Sequence, residues 1–446
     1  MKAKRITALL AAAAMAVSLM TGCSSGGGEA NNPSDETDKK KTEESSDTTS
    51  GGANDPVEIS FWTLSSYQAL TEKVVSDFEQ DHPEIKVNVT INSTDDQKSN
   101  LKVAAASDSL PDIWYNWGGS LASYYTENGF SYDFTDYAKE NNWSDKFEQN
   151  ALDLLTLNGN LAGYPMAWNN GAIYYRTDIF EELGLEVPQT YEEFEAVCAK
   201  LKENGVTPLA LAGSDAWDVM RMLELWVEMY AGPEEHDKLQ SLSTSWDCDA
   251  VVKSFEKFKE FTDKGYFPDG FVSLGYSDVW ALFYSGKAAM TVDFVSTEST
   301  IETDGQDLSN YGVFHLPLAD DGSGRATALA SEIQFNAKLA DDQKKFDACM
   351  TFTDYMFGEE GVDKYAELHQ LPLGNKGYEF PENRPLGAAI NDMMKYGTFN
   401  ITDQALPQEV VDKLFECQDA VAMGSMTPED AAAAMQAAAE AYQSAS

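Results

Sequence analysis

The stretch VEISFWTLSSYQALTEKVVSDFEQDHPEIKVNVTIN, residues 57–92, decides the fold. Val57, Ile59 and Phe61 alternate with Glu58 and Ser60, the period-two pattern of a half-buried strand, and Trp62 follows. From Tyr67 to Phe78 the spacing lengthens: Leu70, Val74, Val75 and Phe78 recur every three or four residues, which puts them on one helix face. Asp81-His82-Pro83 ends that helix, because proline disfavours a helical residue before it. Ile85, Val87, Val89 and Ile91 then alternate again. A strand, helix, strand unit of this kind crosses over right-handed and makes parallel strands. Ligands of such sheets sit beyond the carboxyl ends of the strands, so Trp62, Ser65, Ser66 and Tyr67 are candidates for a binding rim. Trp62 packed under a loop is the alternative.

The chain of 446 residues carries a net charge of −43, which disfavours nucleic acid and anionic membrane surfaces as partners. Nine Trp, twenty Tyr and twenty-two Phe are a generous aromatic content that suits a neutral ligand with apolar faces, most of the rings being core. The four histidines are scattered without ligand spacing, so no metal or other cofactor is expected. Cys198, Cys248, Cys349 and Cys417 lack CxxC spacing; three of them sit in helical runs, and buried free thiols are expected, with disulfide pairing left open.

The N-terminal residues form a targeting segment. Lys2, Lys4 and Arg5 precede an apolar run, Ile6 to Met20, and a small-residue end at Thr21-Gly22-Cys23. Met20-Thr21-Gly22-Cys23 resembles the bacterial lipobox, with Met20 where Leu is usual. The resemblance implies a signal peptide at 1–23 and a lipid on Cys23, against secretion with Cys23 discarded. Residues 24–55 are polar and small, and read as a disordered tether.

Further on, Asp96 to Asp108 reads as a helix. Leu110-Pro111-Asp112-Ile113-Trp114-Tyr115-Asn116-Trp117-Gly118-Gly119 reads as a strand opening into a loop. Asn116 can donate and accept, and Trp117 offers a flat apolar face. Asn158 to Arg176 reads as a turn, an extended run and a second strand with no helix between, as a chain crossing between domains would, with the crossing at Tyr164–Tyr174. Thr190, with Glu193 three positions on, starts a helix over Tyr191–Glu203. Trp217 follows another strand, as Trp62 does.

At this point the residues resemble a known family, the extracellular solute-binding proteins of carbohydrate ABC transporters. FWTLSSYQALTEKVVSDFEQDHP, LPDIWYNWGG, GYPMAWNNGAIYYRTDIFEELGLEVPQTYEEF, LFYSGKAAMTVDF, NITDQALPQEV and MTPEDAAAAMQAA occur in the family's order. The resemblance implies an α/β, two-lobed periplasmic-binding-protein-like fold with three interlobe crossing segments, near Met166–Gly171, Ala289–Asp293 and Ser331–Ala337. Lobe one would be 57–165 with 293–335, and lobe two 172–288 with 341–446. Within the family the chain is most similar to the raffinose- and multiple-sugar-binding branch, where an Asp near the end followed by a polar residue contacts sugar. Asp403-Gln404 matches. The branch's aromatic ahead of that Asp is replaced by Ile401-Thr402, and the Trp often found after the third link motif by Asp293-Phe294-Val295.

The resulting expectation is a lipid-anchored, monomeric receptor on the extracytoplasmic face of the cell membrane. It would capture a neutral oligosaccharide for membrane permease subunits, and would not be an enzyme. Trp62, Trp117, Trp168 and Trp217 are the stacking candidates; Ser65 belongs to the rim. Asn116, Asn169, Arg221, Asp293, Glu332, Asp403 and Gln404 are the hydroxyl partners. A secreted glycoside hydrolase, with two carboxylates about 5–10 Å apart, and a surface glycan-binding adhesin are the alternatives. Lipidation has a direct test: Cys23→Ser should release the protein from membranes into the medium with sugar affinity unchanged, and a mutant that stays in the membrane fraction would refute the anchor.

Overall fold

The computed structural model describes residues 56–445 apart from 158, 320–323, 370–373, 377 and 381. The signal-like segment, Cys23 and the tether lie outside the described residues. Strand β1 (Val57–Leu64), the helix Gln68–Asp81 and β2 (Ile85–Asn92) form the unit read from residues 57–92. β1 and β2 are parallel, in register from Val57–Ile85 to Leu64–Asn92. Ser93 caps the next helix, Thr94–Ala106, its hydroxyl accepting from the Asp96 amide at 3.2 Å. β3 (Ile113–Trp117) then lies parallel to β1 on its other side.

A two-stranded hairpin, β4 (Thr156–Leu157) and β5 (Asn160–Leu161), precedes the long β6 (Tyr164–Arg176). β7 (Thr207–Ala210), β8 (Ala288–Phe294), β9 (Tyr311–Phe314), β10 (Ala326–Phe335) and β11 (Thr398–Asn400) complete the strands described. The main sheet runs β2-β1-β3-β10-β6-β8-β7, with β11 beside β10 and β9 beside β6. β6 is antiparallel to β10 through Tyr164–Asn170 and to β8 through Gly171–Tyr175. β10 pairs with β3 at one end and with β11 at the other.

Two separate cores follow from this layout. The first gathers Ile59, Phe61, Val74, Phe78 and Tyr115 with Met166 and Ile333; the second gathers Phe194, Leu209, Met220, Trp226 and Phe258 with Val410 and Met435. β6 contributes Met166 to the first core and Ile173 to the second, so it runs from one to the other. Its residues are buried on both faces, which is why it lacks polar alternation. Thr190 caps Tyr191–Glu203 as its spacing predicts, accepting from the Glu193 amide at 3.2 Å.

The division of the chain between cores differs from the expected lobe boundaries in two places. Phe314, Leu316 and Leu318, expected with lobe one, are buried in the second core, where β9 pairs with the far half of β6. The helix Gln343–Phe357, expected with lobe two, packs on the first. Phe352 meets Phe61 and Phe78 edge-on, with ring centroids 5.6 and 5.2 Å apart. Its apolar spacing fixes which face is buried, not which core receives it. The buried residues of β8 all lie on the second side; after Tyr365 of the first core the chain returns to the second, which it rejoins by Phe399. Cys198, Cys349 and Cys417 are buried free thiols in helices and Cys248 is a partly buried free thiol.

Glu332, expected as a hydroxyl ligand, is instead fully buried in β10. It sits where the register with β6 shifts, and neither carboxyl oxygen has a hydrogen-bond partner among the described residues. A Cβ on Gly163 would come within 2.9 Å of its carboxyl carbon. Burial holds its pKa well above the ordinary value. The folded chain therefore keeps a proton that the unfolded chain releases above pH ~4.5. The stability this proton confers is present at low pH and is lost as pH rises towards the folded-state pKa. Glu332→Gln removes the linkage. Its melting temperature relative to the parent should climb steadily as pH is raised above about 5. Parallel melting curves for the two proteins across pH 4–9 would show that Glu332 is ionised in the fold.

Candidate ligand-binding cleft

Between the two cores lies a cleft of about 590 Å³, floored by β10. On the first side it is lined by the carboxyl ends of β1 and β3, at Leu64 and Trp117, by Ser66 and Tyr67, and by Lys98 of the helix after β2. This is where the parallel-sheet rule puts a ligand. On the second side it is lined by Asp215, Trp217 and Arg221 at the start of the helix Ala216–Ala231, by Tyr276, and by Asp293 and Phe294 at the end of β8. Asn169 of β6, Ser331 of β10, and Asp403 and Gln404 close it. A larger hollow of about 790 Å³, walled by Tyr164, Asp354, Tyr355 and Lys364, holds none of the residues singled out from the sequence.

The second side is organised by one guanidinium. Arg221 Nη1 donates to Asp293 Oδ1 at 3.0 Å and to Asp218 Oδ1 at 3.2 Å, and all three residues are buried. Its guanidinium carbon lies 4.5 Å from the Trp217 ring centroid and 4.7 Å from that of Phe294. The Tyr276 hydroxyl donates to Asp293 Oδ2, while burial and the Asp293 charge push the phenol pKa well up, so it stays a donor. Trp217 and Tyr276 are tilted rings with centroids 5.1 Å apart. Two carboxylates thus fix one cation, and the cation fixes the aromatic wall. Removing one partner of such a buried set typically costs ~3–5 kcal/mol.

On the first side Trp117 stands edge-on to Tyr115 with centroids 5.0 Å apart, and Lys98 Nζ lies 4.9 Å from its ring centroid. Tyr115 and Ser331 share a hydroxyl hydrogen bond of 2.9 Å, tying β3 to β10. Asp403 is half-buried; burial raises its pKa, with the charges of Lys98 and Arg221 opposing. Its turn, Thr402–Ala405, is pinned by Gln404, whose side-chain amide bonds both the N–H and the C=O of Ala330 at 3.2 Å. Gly119 makes the approach feasible: its φ is +67°, and a Cβ there would stand 2.1 Å from the Gln404 carbonyl oxygen.

Of the residues singled out from the sequence, Ser66, Tyr67, Trp117, Asn169, Trp217, Arg221, Asp293, Asp403 and Gln404 line this cleft, whereas Trp62, Ser65, Asn116, Trp168 and Glu332 do not. Trp62 packs on the cluster of Leu101, Trp114 and Tyr125, because it is on the sheet face opposite Phe61. Asn116 is buried and bonds Gln334 Oε1 at 2.8 Å. Trp168 neighbours Asn169 on β6, and period two turns it away from the cleft. Ser65 is exposed, with Ser66 lining in its place. Glu332 lies in the first half's interior. Among the lining residues, Gln404 and Asn169 are already bonded, the latter's Nδ2 donating to Ser296 Oγ at 3.1 Å. Lys98, Asp215 and Tyr276 escape a sequence reading, although Lys98 follows β2 much as Tyr67 follows β1.

The geometry can be set beside known proteins. The model of the family of bacterial extracellular solute-binding proteins matches residues 62–363. The multiple sugar-binding protein of Streptococcus mutans is 25% identical over 345 residues, covering 74% of this chain and 78% of that protein. Among solved structures, a chitin oligosaccharide binding protein is 26% identical, with a TM-score of 0.78 over 87% of this chain and 99% of that one. SBP RafE in complex with raffinose shares the fold at 21% identity and a TM-score of 0.68, over 85% of this chain and 98% of that one. With more than half its length matched by the family model, and a cleft between two α/β halves, the chain belongs to the bacterial extracellular solute-binding proteins.

Proposed function

We propose that this protein is the substrate-binding component of an ABC importer, capturing a neutral oligosaccharide, of raffinose type or another di- or oligosaccharide, and delivering it to permease subunits. It does so as a monomer held by a lipid on Cys23 at the extracytoplasmic face of the cell membrane. The observation that carries the reading is a pair of indoles facing one cleft, Trp117 packed on the first core and Trp217 on the helix whose Met220 and Trp226 fill the second. Aromatic faces stack on the apolar faces of pyranose rings, while Asp403, Asp215 and the Tyr276 hydroxyl suit ring hydroxyls. Hydrogen bonds to charged groups contribute roughly 1.5–3 kcal/mol each, so a few of them support micromolar affinity. The cations of the cleft are balanced by its own anions, Arg221 by Asp218 and Asp293, and Lys98 acting on Asp403. With Asp215 also on the lining, carboxylates outnumber cations in the cleft, which disfavours an anionic ligand. The names of the multiple sugar-binding and chitin oligosaccharide binding relatives support a carbohydrate. In this reading, lobe one is 57–165 with 330–365 and lobe two is 172–318 with 398–445, closing about β6 and β10.

Calorimetry against raffinose, stachyose, chitotriose and xylotriose tests the class, and product analysis after prolonged incubation should recover the bound glycan intact. Trp117→Ala should weaken the bound glycan by about 1–3 kcal/mol, roughly five- to two-hundredfold in Kd, with a near-normal melting temperature for the unliganded protein. Unchanged affinity per folded molecule, with the ~3–5 kcal/mol stability loss of a truncated core Trp, would place Trp117 in the core and not on the ligand.

A further inference from the structure

The helix Ala216–Ala231 carries Trp217, Arg221 and Glu224 at i, i+4 and i+7, one face of one helix. Trp217 and Arg221 line the cleft; Glu224, 2% exposed, reaches past it. Its Oε2 accepts the backbone N–H of Thr402 at 2.9 Å, and its Oε1 shares a 3.0 Å hydrogen bond with the Thr327 hydroxyl of β10. Thr402 immediately precedes Asp403. We propose that Glu224 is a positioning residue for ligand binding: it holds Asp403 at a fixed place relative to Trp217 and Arg221 by tying the Thr402 amide to their helix. The inference rests on reading the cleft as the ligand site.

Three other contacts hold the same turn: Gln404 to Ala330, Ser120 Oγ donating to the Asp403 carbonyl at 3.2 Å, and the close approach of Gly119. Those come from β10 and from the first core's side. Glu224 alone among these ties comes from the aromatic wall, so it sets the spacing between a stacking face and a hydroxyl acceptor. Burial pushes its pKa up to about 8. Both of its oxygens accept, one from the Thr402 N–H and the other from the Thr327 hydroxyl. A glutamine at this position can make both bonds, whereas alanine makes neither.

Two measurements on the full chain test this. The first needs no ligand: hydrogen exchange of the segment containing Thr402 should accelerate about tenfold in Glu224→Ala, the equivalent of losing one hydrogen bond to a carboxyl group, and return to the parent rate in Glu224→Gln. Unchanged exchange there would overturn the proposal, as would equal acceleration throughout the chain. The second is a double-mutant cycle on the Kd for raffinose. Glu224→Ala should weaken binding about tenfold in the parent and less than about twofold once Asp403→Asn is present, because both substitutions act through one carboxylate. Multiplying effects would show that Glu224 acts elsewhere. Thr402→Pro, which removes the amide donor and the threonine hydroxyl at a first helical position, should behave like Glu224→Ala, and parent-like affinity would count against the proposal. If the parent binds no raffinose, the raffinose-type reading fails, while the exchange result still decides whether Glu224 holds the turn.

Discussion

The antiparallel pairing of β6 with β10 is the constraint on which the molecule depends. Every buried backbone N–H and C=O needs a partner, and these two strands supply each other's from Ala328–Asn170 to Ile333–Tyr164. β6 then passes to β8 and β10 to β3, so one continuous ladder joins two cores that otherwise have separate apolar interiors. The ladder is not uniform. Its register slips between Ser331 and Glu332, and a bulge bends and twists the strand that carries it. Ser331 faces the cleft and Glu332 the interior, so the irregularity lies under the site, where a change in angle between the halves would be felt.

How much of this the sequence discloses depends on whether a residue's neighbours are near in the chain. The unit from Val57 to Asn92 is legible because its strands pair with each other and its helix covers them. The Thr190 cap is legible because its partner is three residues away. Trp62 and Asn116 are not. Both follow from correctly placed strands, but a sheet covered on both faces gives no sign in its own pattern of which face meets solvent or ligand. Asn116 is satisfied by Gln334, 218 positions on; no local spacing could announce that. The helix Gln343–Phe357 shows the same limit at a larger scale: Phe346, Cys349, Phe352 and Met356 mark a buried stripe without naming the core that takes it.

Arg221 and Asp293 were separately legible as polar cleft residues, yet their relation changes what each can do. They are 72 positions apart, and together with Asp218 they form one hydrogen-bonded set. Asp293 also accepts from the Tyr276 hydroxyl and from the Phe294 amide at 2.8 Å, which leaves it little capacity for a ligand hydroxyl. Its chemistry is turned inward, to orient Arg221, and Arg221 in turn backs the Trp217 ring.

That arrangement explains why a protein would bury so many polar groups beside a binding site. Desolvating two carboxylates and a guanidinium adds little net stability, since the cost of removing charges from water offsets their attraction. What it does supply is rigidity. Side chains that would lose rotamer freedom when a ligand arrives have already lost it on folding, and each immobilised side chain otherwise costs about 0.5–1.5 kcal/mol of affinity. The second core therefore presents Trp217 and Tyr276 as a preformed wall. On the first side Trp117 has Lys98 over its ring, a long side chain joined to the cleft by a cation–π contact and by its field on Asp403. The asymmetry follows from the fold: the wall belongs to the starts of two helices, Ala216–Ala231 and Tyr276–Tyr284, braced by buried charge, while the facing residues ride on the ends of β1 and β3 and on the helix after β2.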